Sequence, residues 1–126
     1  MARVLIVEDE RSIRQALRFA FEDDGYEVMQ ACDYLEAVDT LKNSNFDIII
    51  TDIHIKKGDC LQLMNLLEKN DREVPFIVMT AFPETEVAVE AKSILKDRYF
   101  EKPFFTPDLT NKVGEILNSR SIYSMV

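Results

Sequence analysis

The feature that most constrains the fold is a regular exchange of two hydrophobic periods along the chain. Short apolar runs of strand character alternate with segments whose apolar residues recur every three or four positions. Arg3–Val7 is a strand closed by Glu8-Asp9-Glu10, and Ile13, Ala16, Leu17, Ala20 and Phe21 then share one helical face that Gly25 stops. Residues 26–31 read as a second strand. Asp33 and Glu36 form a capping box for a helix with the stripe Leu35, Val38 and Leu41, ending near Asn43. Residues 46–51 make a third strand, and Asp59 with Gln62 caps a helix lined by Leu63, Leu66 and Leu67. The strand at 76–79 ends in Thr80. Pro83 then opens a fourth helix whose inner face uses Val87, Ala91, Ile94 and Leu95. Residues 98–101 are a weak, partly polar strand, and Thr106-Pro107 opens a last helix carrying Leu109, Val113, Ile116 and Leu117.

Strict strand-helix alternation predicts an α/β domain, a single doubly wound five-stranded parallel sheet with helices on both faces. The most apolar strands, at 3–7, 46–51 and 76–79, belong in the centre. The strands at 26–31 and 98–101 then lie at the edges, which gives the flavodoxin-like (βα)5 order 2-1-3-4-5. Asp52 follows the most apolar of these strands. In open α/β sheets ligands bind beyond the carboxyl ends of the strands, so an acid there is placed for chemistry; alone it could equally open a loop or cap a helix.

The length of 126 residues fits one domain, expected at 1–119, with 120–126 a C-terminal tail or the start of a linker. A hydrophobic content of 47% and 30% charged residues suit a soluble globular chain. The apolar runs are too short to cross a bilayer and the first residues lead straight into a strand, so the expected location is cytoplasmic, without membrane contact. Cys32 and Cys60 are read as reduced structural thiols. A net charge of -8, with no basic face, argues against direct nucleic-acid binding by this domain.

The predicted topology brings Glu8 and Asp9, Asp52, Thr80 and Lys102 to one sheet edge. The segments that hold them are Val4-Leu5-Ile6-Val7-Glu8-Asp9-Glu10, Ile48-Ile49-Ile50-Thr51-Asp52-Ile53, Val78-Met79-Thr80-Ala81 and Tyr99-Phe100-Glu101-Lys102-Pro103-Phe104. In order and spacing they resemble the receiver domain of two-component response regulators, from Val4 to about Leu117. Taken singly, each has a plainer reading: acids favouring a helix N-terminus, a strand-end threonine, a solvated lysine.

The resemblance implies that Asp52 is a phosphoacceptor that takes a phosphoryl group from the phosphohistidine of a sensor histidine kinase or histidine phosphotransfer protein. It implies Mg²⁺, replaceable by Mn²⁺, held by Asp9, Asp52 and the backbone carbonyl of His54, with Glu8 acting through water. Lys102 supplies compensating charge and Thr80 donates to the phosphoryl group. Thr80 and Tyr99 form the switch, and the face made by helix four, strand five and helix five then controls an output domain or protein, or homodimerisation. His54 and Phe82 stand where this family tunes acyl-phosphate lifetime, and a bulky Phe82 predicts slow self-dephosphorylation. The side chain of His54, the only histidine, is placed at the rim of the acidic pocket.

Two departures stand out. Lys56 and Cys60 replace the proline and glycine usual after the phosphoacceptor, which predicts a differently shaped loop with Gly58 supplying flexibility. Leu95-Lys96 replaces a usual Gly-Ala, which predicts a longer or shifted end to helix four. The domain is expected to be regulatory rather than an enzyme. The alternatives are a phosphorylation-independent interaction module on the same fold, or a Mg-dependent phosphatase with an aspartyl nucleophile. The phosphatase would want a second aspartate where His54 stands, and a flavin phosphate would be repelled by Glu8-Asp9-Glu10.

Overall fold

The computed structural model describes residues 1–125, with side chains described as far as residue 119. In chain order the strands are β1 (Arg3–Val7), β2 (Glu27–Ala31), β3 (Ile48–Asp52), β4 (His54–Ile55), β5 (Gly58–Asp59), β6 (Phe76–Thr80) and β7 (Tyr99–Glu101). The helices are α1 (Arg11–Asp23), α2 (Tyr34–Asn43), α3 (Cys60–Lys69), α4 (Glu86–Leu95) and α5 (Thr106–Met125). β2-β1-β3-β6-β7 form one parallel sheet. This is the order expected from the sequence once the short pair β4 and β5, which stands outside the sheet, is set aside.

Every residue of β3 and β6 is buried, which is why their β-branched runs show no polar alternation. The pleat sends alternate residues to opposite faces. Ile6, Ile48, Ile50, Ile77 and Met79 pack with Leu17 and Phe21 of α1 and Leu109, Val113 and Ile116 of α5. Leu5, Val7, Ile49 and Phe76 pack with Ala37 and Leu41 of α2 and Leu63 and Leu67 of α3. Each fully buried large aliphatic side chain stabilises the fold by roughly 1.5–3 kcal/mol. α4 rests on the same side through Ala88 and Ala91, against Ile53, Cys60 and Val78.

Three expected inner residues face out instead. Leu35 is 57% exposed, Ile94 is 53% exposed, and Ala16 also lies on the surface. The buried rows of α2 and α4 begin with Ala37 and with Ala88 and Ala91, small residues that bring the helix backbone close to the sheet and turn the larger neighbours outward. α4 also starts later than Pro83 suggested, because Thr85 supplies the cap: its Oγ1 accepts the Ala88 N–H at 3.2 Å. The Asp59/Gln62 capping box is complete. At α2 only half of the box forms; Asp33 accepts the Glu36 N–H, while the Glu36 carboxylate accepts from the Cys32 N–H and thiol.

The segment after Asp52 is an ordered ribbon rather than a flexible loop. His54 pairs with Asp59 and Ile55 with Gly58, antiparallel. Lys57 carries the positive φ of the turn, at 70°. Gly58 is needed for space: a Cβ there would lie 2.6 Å from the Tyr34 ring. Tyr34 N–H donates to the Lys56 carbonyl at 2.9 Å, and Lys57 pairs with Asp33 at 3.5 Å. α4 ends at Leu95, followed by a 3-10 turn over Lys96–Arg98 in which Lys96 adopts φ 54°, ψ -108°. At the opposite end of the sheet Arg72 donates to the carbonyls of Leu41 and Ser44, closing the C-terminus of α2. α5 is continuous to Met125, and the expected tail at 120–126 falls where side chains lie outside the described residues. Among the described residues no helix is long and apolar enough to cross a membrane.

The two cysteines differ in environment. Burial, reinforced by Asp59, pushes the Cys60 thiol up to about 12. Cys32 is partly exposed, and its hydrogen bond to Glu36 raises its pKa. A thiol-reactive disulfide reagent at pH 8 is therefore expected to label Cys32 slowly in the folded protein and Cys60 only after denaturation; prompt labelling of both without denaturant would contradict the packing of α3.

Candidate functional site

Parallel pairing places the carboxyl ends of β1, β3, β6 and β7 at one edge. Main-chain bonds lock the residues just beyond them: Glu8 N–H to Ala31 O at 3.0 Å, Ile53 N–H to Met79 O at 2.7 Å and Lys102 N–H to Thr80 O at 2.8 Å. The side chains expected at this edge are therefore held by the sheet itself.

Lys102 is the centre of the acidic group. Its Nζ donates to Asp52 Oδ2 at 2.7 Å and to Glu8 Oε1. Glu8 is fully buried and Asp52 is 8% exposed. Burial pushes the Glu8 carboxyl up to about 7, although the bond from Lys102 opposes the shift; the nearby Asp52 charge adds to it. Burial alone would lower Lys102, but the carboxylates of Asp52 and Glu8 outweigh it and hold the ammonium above its ordinary range. The second oxygens are also used, Glu8 Oε2 by Glu10 N–H at 3.2 Å and Asp52 Oδ1 by His54 N–H at 3.3 Å.

Carboxylate oxygens of Glu8, Asp9 and Asp52 lie within 4.8 Å of one another, and Asp9 is exposed at the mouth. With Glu8 ionised, three carboxylates and one ammonium leave an excess of two negative charges, which a divalent cation would offset. The donor set is oxygen only, as Mg²⁺ or Mn²⁺ prefers, and both imidazole nitrogens of His54 face other partners. The residues present fit such an ion.

Beside the acids lies a second cluster. Thr80, fully buried, accepts the Phe82 N–H at 2.9 Å, and its Oγ1 is 3.5 Å from His54 Nδ1. His54 Nε2 is 2.8 Å from Thr85 Oγ1, and the Phe82 ring meets the imidazole edge-on at 6.0 Å between centroids. Phe82 is 57% exposed. Tyr99 stands apart from both clusters: its ring packs on the Ile53, Val78, Ala88 group and lies 5.4 Å from Lys92 Nζ.

Two contributors left little trace in the sequence. Arg14 donates to the Glu8 carbonyl at 2.8 Å and approaches that of Asp9 at 3.5 Å, bracing the acidic loop. Thr85 joins α4 to His54; its position three residues before Ala88 was the available signal, overshadowed by Pro83.

With this geometry in view, comparison with known proteins is specific. Residues 4–114 match the family model of the response regulator receiver domain. The chain is 32% identical over 117 residues to phosphate regulon transcriptional regulatory protein PhoB of Klebsiella pneumoniae, an overlap of 91% of this chain but 51% of that protein. It thus spans about half the length of that relative. With sporulation initiation phosphotransferase F of Bacillus subtilis (strain 168) it shares 29% identity over 119 residues, 94% of this chain and 96% of the relative. A crystal structure of response regulator protein TrrA from Thermotoga maritima, in complex with Mg(2+)-BeF, superposes with a TM-score of 0.78 at 28% identity, covering 92% of this chain and 99% of that one.

Lys102 is expected to be the main compensation for the buried acids. Lys102→Met, which keeps the stem and removes the charge, should lower the free energy of unfolding in urea at pH 8 by roughly 2–3 kcal/mol, and added Mg²⁺ should restore part of it. A loss below about 0.5 kcal/mol would mean that the carboxylates do not depend on this ammonium.

Proposed function

The chain belongs to the response regulator receiver family, and from that membership we propose that it is a phosphorylation-activated switch in which Asp52 accepts a phosphoryl group from a phosphohistidine. Receiver domains take phosphoryl groups from histidine kinases and are regulatory modules; the assignment of Asp52 and its neighbours to that work is our reading. The observation that carries it is the contact of the Lys102 ammonium with both Asp52 and Glu8, inside a carboxylate cluster that fits a divalent cation.

In the transfer, a carboxylate oxygen of Asp52 attacks phosphorus, a P–O bond forms as the P–N bond breaks, and the imidazole leaves with the electron pair. Lys102 holds the carboxylate and offsets charge on the arriving group. Glu8, Asp9, Asp52 and the His54 backbone carbonyl would hold Mg²⁺, whose chemistry when bound is to neutralise charge on the phosphoryl oxygens. Arg14 keeps the loop carrying Glu8 and Asp9 in place. Thr80 donates a hydrogen bond from its hydroxyl to a phosphoryl oxygen, and Tyr99 responds on the side facing α4. The α4-β7-α5 face then passes the state on to an output domain, a partner protein or a second copy of the chain.

The net charge of -8 supports assigning any DNA contact to another domain or partner, and a cytoplasmic location belongs to the same proposal. Among the described residues no contact favours the phosphatase alternative: the residue two after Asp52 is His54, whose ring is turned to Thr80 and Thr85.

Two measurements test this reading. Incubation with a small acyl-phosphate donor and Mg²⁺ is expected to add one phosphoryl group by mass, lost in Asp52→Asn and in the presence of a chelator; labelling that survives Asp52→Asn moves the site elsewhere. Once phosphorylated, the protein should lose phosphate slowly, because a bulky apolar ring two residues after Thr80 hinders an in-line water, and Phe82→Ser should speed the decay by roughly three- to tenfold, the equivalent of about 1 kcal/mol of barrier. Equal or slower decay in Phe82→Ser would remove Phe82 from that role.

A further inference from the structure

His54 occupies an unusual position for the one imidazole in the chain. It leaves the ribbon β4-β5 and reaches across to α4, so that the residue next to the acidic site also touches the cap of a helix. Assigning the Nε2–H tautomer gives these contacts one consistent direction. Thr80 Oγ1 accepts the Phe82 N–H, so its own proton is free to point to His54 Nδ1. With Nδ1 accepting, Nε2 carries the ring proton and donates it to Thr85 Oγ1 at 2.8 Å. Thr85 Oγ1 also accepts the Ala88 N–H as the cap of α4, and its proton goes to the Phe82 carbonyl at 3.3 Å. The contacts form a consistent chain from Thr80 to the N-terminus of α4, in which Thr85 Oγ1 accepts twice and donates once.

We propose that His54 is a positioning residue that holds the Thr80 hydroxyl and the α4 cap together in the unphosphorylated state, so that phosphorylation must break this link to recruit Thr80. The inference rests on the reading of Asp52 and Thr80 above and extends it to Thr85 and α4. Thr80 has one hydroxyl proton. Once it is hydrogen-bonded to a phosphoryl oxygen, His54 Nδ1 loses its donor, and the ring, held otherwise by Thr85 and the edge of Phe82, is released to turn. The N-terminus of α4 is then held by one contact fewer. The ribbon makes the link effective because its backbone cannot follow the ring: Ile53 O accepts from Cys60 N–H at 3.0 Å, Tyr34 N–H donates to Lys56 O, and Gly58 is wedged against Tyr34. A signal at Thr80 thus moves the ring and α4 rather than the segment that carries them.

The test compares wild type with His54→Ala, Thr85→Val and Thr85→Ser. The readouts are amide spectra and hydrogen exchange of residues 85–95 in the free protein, and the apparent affinity for beryllofluoride with Mg²⁺. His54→Ala and Thr85→Val are expected to perturb the α4 amides without ligand and to raise the beryllofluoride affinity roughly three- to tenfold, the equivalent of one net hydrogen bond. Thr85→Ser, which keeps the hydroxyl, should match wild type in both. Unchanged α4 amides in either disruptive variant, or an affinity that is equal or weaker, would overturn the link. The wild-type response to beryllofluoride is a separate control: its failure would remove the phosphoacceptor reading, while the ligand-free amide comparison would still decide the contact between His54 and α4.

Discussion

One ammonium group holds the functional edge of this domain together. A parallel sheet delivers the ends of its strands to the same place, and here two of those ends carry carboxylates that are almost entirely out of water, Glu8 and Asp52. At about 5 Å and an effective dielectric near 20, each such like-charge pair costs about 3 kcal/mol. Lys102, arriving from beyond the edge strand β7, reaches both acids and offsets that repulsion. The contact spans β1, β3 and the chain after β7, so the charge compensation of the site is also a brace across most of the sheet. Burial, with a smaller contribution from the Asp52 charge, pushes the Glu8 carboxyl up to about 7 even with Lys102 bound to it.

The sheet and the acidic group were legible in the chain because both follow from simple rules. Unbroken β-branched runs report burial on both faces, and parallel order brings Glu8, Asp9, Asp52, Thr80 and Lys102 to one edge without any further information. The helices were less legible in detail. Periodicity identifies an apolar side but does not choose between adjacent rows on it, and in α2 and α4 the row that packs begins with alanine while Leu35 and Ile94 face out. Close approach of backbones favours the small residue over the more hydrophobic one. Arg14 was not legible at all, since a side chain that braces two backbone carbonyls needs only length and charge and leaves no pattern.

The seven residues after Asp52 carry the largest difference between expectation and structure. The loss of a usual proline and glycine suggested a loop of different shape with Gly58 supplying flexibility; the segment closes on itself as a ribbon, with the positive φ at Lys57, and touches three helix starts. Lys56 and Lys57 bind Tyr34 and Asp33 at α2, Asp59 caps α3, and His54 reaches the cap of α4. Gly58 belongs to this order rather than to flexibility, because its missing side chain is what admits the Tyr34 ring. Helix N-termini carry unsatisfied N–H groups, so a short segment that organises three of them also organises the positive ends of three helix dipoles around the acidic edge.

Lys96 gives α4 a different character at its other end. A φ of 54° with ψ of -108° is a conformation that glycine adopts freely and a lysine adopts at a cost of order 1–3 kcal/mol. The surrounding packing must hold that turn, so the helix is flanked by a hydrogen-bonded cap and a strained exit. The two ends of α4 are thus set by different means, one by side-chain hydrogen bonds and the other by packing that holds an unfavourable backbone. Replacing Lys96 by glycine would remove that backbone strain at the exit of α4 without touching the acidic site.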